Sequence, residues 1–570
     1  MYLRGVPLGE VLRLPPGSRV CFDTYFNSFS LKKWLEWTAL TRLTLELNLK
    51  GDVVVELFGL DWQKGEVKKT VLAVEPVHAP ERMDVLLPCP RNDHTLVAFS
   101  LSSHGDSIIY GGRYLAEVSP EFPRPVKIAL VICTYKKEED VKRNLRLLHD
   151  GVKELSIFVV DNGRTLGTPP ETCGNLRIFH NRNTGGAGGF TRGLMEVTAS
   201  DCACTHILLM DDDVSISLNS LERLKKFLSL LREDAASAVV GGAMLRRDNP
   251  SIQEENGAWI VADVKEGVRQ IPGEPFANLS SREAVVKNET VKSAQKNGKR
   301  YQPWYFCCFP ASAAGPENLP LPLFLRGDDV EYSLRNFNKF INMNGLCVWH
   351  DSFEKKTSNM LHYFINRNLC IIMVFSLGLP GKNVLRRVRI NLRNQLYRYN
   401  YNAAEAILDG FSDFLGGPRR LAEMSPESVL ERQSARNEAM IPRVESCSSP
   451  DEQKETVGVL RQFLFRGLFR LTVGGHWLPS IFFAPEGVLS TSAPYDPYRC
   501  FLKKSLRIVD FQEGKELRRN INRIRCLRIV VRWFLLRLCL AFRWRKLRQE
   551  WAEQGMRLMT REFWKQYLNL

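Results

Sequence analysis

Apolar residues along this chain recur in two patterns, and each pattern names its elements. Leu43, Leu45, Leu47 and Leu49 alternate with Thr44, Glu46 and Asn48, the period of two expected for a strand with one buried face. Gly51-Asp52 interrupts that run before Val53 to Phe58 resumes it, which predicts a hairpin. With Met83 to Leu87 and Thr95 to Leu101 as further strands, residues 1–122 read as a β-sandwich that serves binding or packing. Pro120, Pro123 and Pro125 mark a linker.

Beyond the linker the pattern changes. Val126–Cys133, Leu155–Val160, Leu176–Phe179 and Ile207–Met210 are unbroken apolar runs, with helical segments such as Glu138–His149 between them. Such runs suit strands covered on both faces, and the alternation predicts an open, mostly parallel α/β sheet. From about Asn400 helical patterns take over, so residues 123–400 and 401–570 read as a catalytic-type α/β domain and a helical domain.

Composition narrows this further. A chain of 570 residues with 44% hydrophobic and 25% charged positions is globular and multidomain. No basic start followed by an apolar run opens it, and no stretch has the roughly 18 apolar residues that would span a bilayer. The 14 cysteines lack paired spacing and read as reduced thiols of a cytosolic protein. The net charge of +16 calls for an anionic partner. No nucleic-acid-binding motif occurs, and the basic residues gather in Lys503–Trp551. There Arg518, Arg525, Arg532 and Arg543 fall near one helical face, while Ile524, Leu527, Val531, Leu535 and Leu538 supply apolar surface. With Trp533 and Trp544, this predicts a basic amphipathic helix able to lie on an anionic membrane. The same pattern also suits a helix packed on the catalytic domain with its basic side in water.

The candidate chemistry sits at the strand ends, where open α/β sheets bind ligands. Thr205–Met210 runs into Asp211, Asp212 and Asp213; on an extended chain the first and third carboxylates share a side and suit a hard divalent cation gripping a diphosphate. A solvated acidic loop is the alternative for an isolated triplet. Asn181 to Phe190 is rich in glycine without the dinucleotide or P-loop spacing. Its glycines suggest backbone lying close to a ligand, with N–H groups and Arg192 offered to a phosphate and a helix beginning near Thr191. Residues 263–299 form a polar insertion, after which Trp304-Tyr305 suits either core or a sugar-stacking platform. Asp328 with Glu331 resembles a capping box, which places Asp329 in a first helical turn where an ionised carboxylate is favoured. His350 ends another apolar strand, and an imidazole beside two carboxylates suits Mn2+ and tolerates Mg2+.

Taken in order, the segments around Thr134, Asp161, Gly185–Phe190, Asp211–Asp213, Trp304-Tyr305, Asp328–Glu331 and Trp349-His350 resemble family-2 glycosyltransferases of the GT-A fold. They are most similar to bacterial galactofuranosyltransferases of the galactan-polymerase type, which share a preceding β-sandwich and a following helical domain. The resemblance implies a metal site of Asp211, Asp213 and His350, with Asp329 as general base. It implies donor contacts at Thr134, Asp161, Asn183, Gly185, Arg192 and Asp212, and acceptor contacts at Trp304, Tyr305 and Asp328. The implied activity is inverting, Mn2+- or Mg2+-dependent transfer of galactofuranose from its UDP donor to a lipid-linked glycan in cell-surface polysaccharide synthesis. The implied chain is cytoplasmic and able to form homo-oligomers. It would reach the inner face of the cell membrane peripherally, through its C-terminal basic helix. A rhamnosyl or galactopyranosyl donor, or carbohydrate binding without catalysis, are the alternatives. The chain has Gly327 and Tyr305 where that family often has tryptophan, so acceptor recognition is where it departs most.

Overall fold

The computed structural model describes residues 2–3, 6–7, 11–151, 155–167, 175–263, 267–290, 298–352, 358–443, 467–491, 497–511 and 513–570. The N-terminal region contains β1 (Leu12–Leu14), β2 (Arg19–Cys21), α1 (Leu31–Trp37), β3 (Arg42–Gln63), β4 (Glu66–Pro88), β5 (Leu96–Ser103) and β6 (Ser107–Glu117). These strands form one hydrogen-bonded sheet, in which β3 pairs with β4 along one edge and with β6 and then β5 along the other. The alternation in β3 does bury Leu43, Leu45, Leu47 and Leu49, as expected. Gly51 is not a turn, however. The strand continues through it with a register shift, and the hairpin turns instead at Lys64-Gly65. The extra residues of that shift lie in β4, between Ala79 and Met83, so β3 keeps its own alternation and Val53, Val55 and Leu57 stay on the buried side. The polar pair therefore reads as a break without being one.

The α/β region opens with β7 (Ile128–Thr134), α2 (Glu138–Gly151), β8 (Ser156–Asp161), β9 (Leu176–His180), α3 (Gly185–Ala199) and β10 (His206–Asp211). Strands β9, β8, β7 and β10 lie in that order and are all parallel. Their continuous apolar runs sort by alternation onto two faces. Ile128, Leu130, Ile132, Leu208 and Met210 join one core, while Ala129, Val131, Ile207 and Leu209 join another. That is why these strands lack a polar face. After β11 (Ser215–Ile216) and α4 (Leu218–Ser229), the sheet becomes mixed through β12 (Val239–Arg246), β13 (Ile252–Glu255) and, farther along, β16 (Ala277–Asn278). A separate three-stranded sheet holds β14 (Ala258–Asp263), β15 (Gly267–Pro272) and β17 (Gly298–Tyr301). The described part of the expected polar insertion is thus ordered, with β15, β16 and α5 (Arg282–Glu289); residues 264–266 and 291–297 lie outside the described residues. Strand β18 (Cys307–Pro310) pairs antiparallel to β10, helix α6 spans Asp328–Asn336, and β19 (Phe340–His350) runs parallel to β12.

The remaining chain is mainly helical: α7 (Asn359–Phe375), α8 (Gly381–Tyr397), α9 (Tyr401–Leu415), α10 (Gly417–Glu423) and α11 (Pro426–Ser434). Val384, Val388, Ile407 and Phe411 share one core, so the helical layer begins at Asn359, well before residue 400. A four-stranded sheet of β20 (Ile441–Pro442), β21 (Ala484–Ser490), β22 (Lys503–Asp510) and β23 (Lys515–Asn520) interrupts it, and α12 (Arg523–Gln554) and α13 (Arg561–Leu568) follow. Helix α13 returns to the α/β sheet: Trp564 is buried with Leu194 and donates its indole N–H to the Pro320 carbonyl at 2.9 Å. Among the described residues every cysteine is free, and no helix is long and apolar enough to cross a membrane.

A cleft of about 1510 Å³ lies between the N-terminal sheet and the α/β sheet. It is lined by Phe26, Tyr114, Arg124, Lys127, Leu155 and Asn175, at the amino ends of β7, β8 and β9. The chemistry gathers at the opposite edge.

Candidate active site

Strand register builds that edge. Asp161 pairs with Thr134 and His180, and Asp211 pairs with Cys133, so the carboxyl ends of β7–β10 finish level with one another. The short β11 pairs antiparallel to β19 with Ser215 opposite Trp349, which carries Asp213 up to the end of β19. There His350 Nε2 lies 2.9 Å from Asp213 Oδ1, with both side chains buried. Lys137 Nζ stands 4.0 Å from the other Asp213 oxygen. The middle residue of the triplet turns the other way. Asp212 accepts the Tyr135 N–H at 3.2 Å and faces the Thr134 hydroxyl. Burial, and then Asp213, raise its pKa to about 6, against the pull of the Thr134 hydroxyl and the Tyr135 N–H.

Helix α6 supplies the next carboxylates. Gly327, at φ +89°, is its N-cap, and Asp328 and Asp329 occupy the first turn. Asp328 is therefore not the capping residue predicted from the Asp-x-x-Glu spacing. Glu331 is fully buried and holds Arg335 one turn on, at 2.9 Å, so it cannot reach back to cap. Asp329 Oδ1 accepts the Val330 N–H at 2.8 Å. Burial lifts both carboxyls above the usual carboxylate range. For Asp329 the Val330 N–H and Arg326 partly offset that, so Asp329 ionises before Asp328. Asp211 adds to the rise at Asp328, which ties α6 to the Asp triplet.

One member of this group escaped the sequence reading. Glu255, at the end of β13, is raised to about 8, first by burial and then by Asp329. The same two carboxylates act on Tyr301. A lone Glu in a strand carries no spacing signal, and only the folded chain brings it within electrostatic reach of Asp329.

Four predicted ligand contacts are engaged elsewhere. Asp161 is fully buried and accepts the N–H groups of Gly163 (2.9 Å) and Leu166 (2.7 Å), so it shapes its own loop. Arg192 pairs with Glu196 at 2.6 Å and lies over the Phe179 ring, away from any phosphate on the glycine segment. Trp304 packs edge-on against Phe190 and Tyr332, and Tyr305 is buried in the opposite core; both are core residues, not a sugar platform. The glycine segment is itself a helix start. Helix α3 begins at Gly185, six residues earlier than expected, and the glycines serve close packing. A Cβ on Gly185 (φ +68°) would meet the Phe324 carbonyl at 2.1 Å. One on Gly189 would meet Cys133 Sγ at 2.0 Å, and one on Gly193 would meet Val131 at 2.2 Å. Asn183 accepts the Gly185 N–H at 3.2 Å and stays half-buried, and Gly186 faces Asp328. Thr134, Asp211, Asp212, Asp213, Asp328, Asp329 and His350 remain as one group at the sheet edge, with Asn183 and Gly185 at its border.

This group has the hard, anionic donors that a divalent cation takes. Among the described residues no three of His, Cys, Asp or Glu stand in a ready ligand cluster. Asp213 and His350 bond each other instead, so these two predicted ligands are already side by side.

Two family models match the chain. One, described as galactofuranosyltransferase 2 N-terminal, covers residues 8–116, and the other, glycosyl transferase family 2, covers residues 129–278. Galactofuranosyltransferase GlfT2 of Mycobacterium tuberculosis is 25% identical over 446 residues, 73% of this chain and 68% of its own. Its namesake from Mycolicibacterium smegmatis is 24% identical over 462 residues, 76% of this chain and 69% of its own. A mannosyltransferase of Pyrobaculum calidifontis, solved with GDP-Man and Mn2+, aligns with 56% of this chain and 82% of its own at 14% identity. Its TM-score of 0.29 is too low to bear on the fold. The matched spans coincide with the N-terminal sheet and with the strands that carry Thr134, Asp161 and the Asp triplet. These matches give a glycosyl transferase family 2 domain over residues 129–278 behind a galactofuranosyltransferase 2 N-terminal-type segment over residues 8–116, and with them a glycosyltransferase.

Proposed function

We propose that this enzyme transfers galactofuranose from UDP-galactofuranose, with inversion, to a hydroxyl of a lipid-linked glycan in cell-surface polysaccharide synthesis. The observation that carries the catalytic part is Asp329: a carboxylate in the first turn of α6, raised by burial yet the first of its pair to ionise. A general base works best with a pKa just below the operating pH. Asp329 takes the proton from the acceptor hydroxyl as that oxygen attacks the anomeric carbon from the side opposite the leaving diphosphate. The α6 amino end favours the ionised form of Asp329 before the reaction. Asp328, held mostly protonated, offers an O–H to a sugar oxygen. On the donor side Thr134 and Asp212 bound the nucleotide end, and Asn183 orders the α3 start.

Asp211, Asp213 and His350 would hold a Mn2+ or Mg2+ ion, exchanging the Asp213–His350 hydrogen bond for ligation. Such an ion would neutralise the diphosphate leaving group as its charge develops. The two GlfT2 relatives support the choice of sugar. The acceptor's lipid would bring the chain to the inner face of the cell membrane.

A panel of UDP- and dTDP-sugars, offered to the purified full chain with a soluble galactofuranose-containing oligosaccharide, tests the assignment. UDP-galactofuranose is expected to be consumed fastest, with UDP-galactopyranose and the rhamnosyl donor far behind. Preference for either of those would overturn the donor assignment. Full activity in excess EDTA, with no metal found in the protein, would overturn the metal site.

A further inference from the structure

The two aromatics expected to receive an acceptor sugar, Trp304 and Tyr305, are core residues. Another aromatic stands in the open. Between residues 123 and 352 the large apolar side chains exposed among the described residues are Tyr135, Leu147 and Phe276. Leu147 lies on α2, and Tyr135 follows Thr134 at the donor end. Phe276, the most exposed of the three at 56%, ends the short loop Gly273–Phe276 between β15 and β16.

That loop runs beside Glu255. Asn256 donates its N–H to the Gly273 carbonyl, and Gly273 donates to the Gly257 carbonyl, both at 2.8 Å. Gln253 Nε2 donates to the Glu274 carbonyl at 2.9 Å. Strand pairing fixes which way Phe276 faces. Leu245 and Met244, adjacent on β12, pair with Gln253 and Glu255, so these two β13 side chains lie on opposite faces. Gln253 turns to α5, where it meets Asn288 at 3.0 Å. Ala277, its partner on β16, packs on that same side against the cluster holding Val285 and Val286. Phe276 comes one residue earlier and therefore falls on the Glu255 face, where Asp329 acts on the Glu255 carboxyl.

The loop holds this ring at a conformational cost. Glu274 has φ +39° and Phe276 φ +59°, the left-handed region that a bulky side chain rarely enters and glycine enters freely. The surroundings enforce it: a Cβ on Gly273 would meet the Asn256 carbonyl at 2.4 Å, so the loop is seated hard against β13. An exposed phenylalanine alone needs no explanation. One that is exposed, strained and aimed at the side of the catalytic carboxylates does, because strain of this kind collects at ligand sites.

We propose that Phe276 is the stacking platform for the glycan acceptor, its ring covering the apolar C–H face of an acceptor sugar beside the one whose hydroxyl meets Asp329. The inference rests on the proposed function, which supplies the glycan.

The test is calorimetric titration of a soluble galactofuranose oligosaccharide into the full chain, with acceptor KM measured alongside. Phe276→Ala should weaken oligosaccharide binding and raise acceptor KM by roughly tenfold, while UDP binding stays within about threefold. Phe276→Trp, which keeps an aromatic face, should bind within about threefold of wild type. Phe276→Gly should lose affinity as the alanine variant does, yet melt at a higher temperature than it, because glycine accepts the left-handed backbone. Unchanged oligosaccharide binding in the alanine and glycine variants would overturn the proposal. So would a wild type to which the oligosaccharide does not bind. A loss that UDP binding shares and that Phe276→Trp does not restore would also overturn it, because the ring would then hold the loop and not a sugar. If the variants weaken oligosaccharide binding as expected while the wild type consumes no UDP-galactofuranose, the proposed function falls and the platform stands.

Discussion

Replacing Asp329 by Asn, with Asp328→Asn as its partner experiment, separates two adjacent carboxylates by protonation state. Both are raised by burial, and Asp329 loses its proton first, because the Val330 N–H at 2.8 Å and Arg326 favour its anion. Near neutral pH Asp329 is then the base and Asp328 is mostly protonated. Asparagine imitates a protonated carboxyl, so it changes Asp328 little and removes what Asp329 does. General base catalysis is worth about 10²–10⁴-fold, or roughly 3–5 kcal/mol of barrier. Asp329→Asn should lose that in kcat while the donor dissociation constant, read by titrating UDP, stays within about threefold. Asp328→Asn should keep kcat within about tenfold of wild type. The wild-type pH profile carries the sign: activity is present while Asp329 is ionised and falls about tenfold per unit as pH drops below its raised pKa. Asp328→Asn should leave that acid limb where it is, because the neighbour it replaces is already neutral there. Equal loss in the two variants, or an Asp329→Asn enzyme with near-normal kcat, would refute the assignment.

Glu255, raised to about 8, holds its proton in the folded state well above the pH at which it ionises unfolded. Folding therefore takes up a proton, and stability declines as pH rises from the ordinary carboxylate range towards 8. Glu255→Gln should raise the melting temperature at pH near 8 and leave it unchanged near pH 4; equal shifts at both would exclude this origin. Gly189→Ala puts a Cβ 2.0 Å from Cys133 Sγ, and overpacking of this kind costs about 1–3 kcal/mol. Adding Cys133→Ala should recover part of that loss in a thermal double-mutant cycle, whereas a glycine kept for ligand access would show higher donor KM, unchanged stability and no coupling.

What the sequence revealed best were features whose cause is local. The buried parallel strands were legible because two-sided burial leaves no polar position, and β7 and β10 do divide their residues between two cores. The order of Thr134, the Asp triplet, Asp329 and His350 was legible because each ends or begins an element, and elements of an open sheet finish at one edge. Asp212 and Asp213 do meet different neighbours, Tyr135 and His350, but they do so from a turn after β10 and not from the extended chain that the alternation assumed.

What escaped depends on which neighbour arrives from elsewhere in the chain. Glycines in the Gly185–Gly193 run had two uses, approach to a ligand or approach to another element, and both require the same missing Cβ. Phe324, Cys133 and Val131 decide for the second, and none of them is recognisable as a partner from the run itself. Arg192 is subject to the same ambiguity. A guanidinium near a phosphate-type segment looks available until Glu196, one turn on, and Phe179, on a neighbouring strand, take it. Helix α12 shows the effect most strongly: its arginines and its apolar residues were both visible, but the acidic residues of α9 determine which set faces outward. Glu405 and Asp409 draw Arg525 and Arg532 inward, and that rotation turns the Ile524–Phe542 strip to the outside. Two arginines of the basic face expected from the sequence are thus taken up by ion pairs within the chain, and the apolar side is the exposed one.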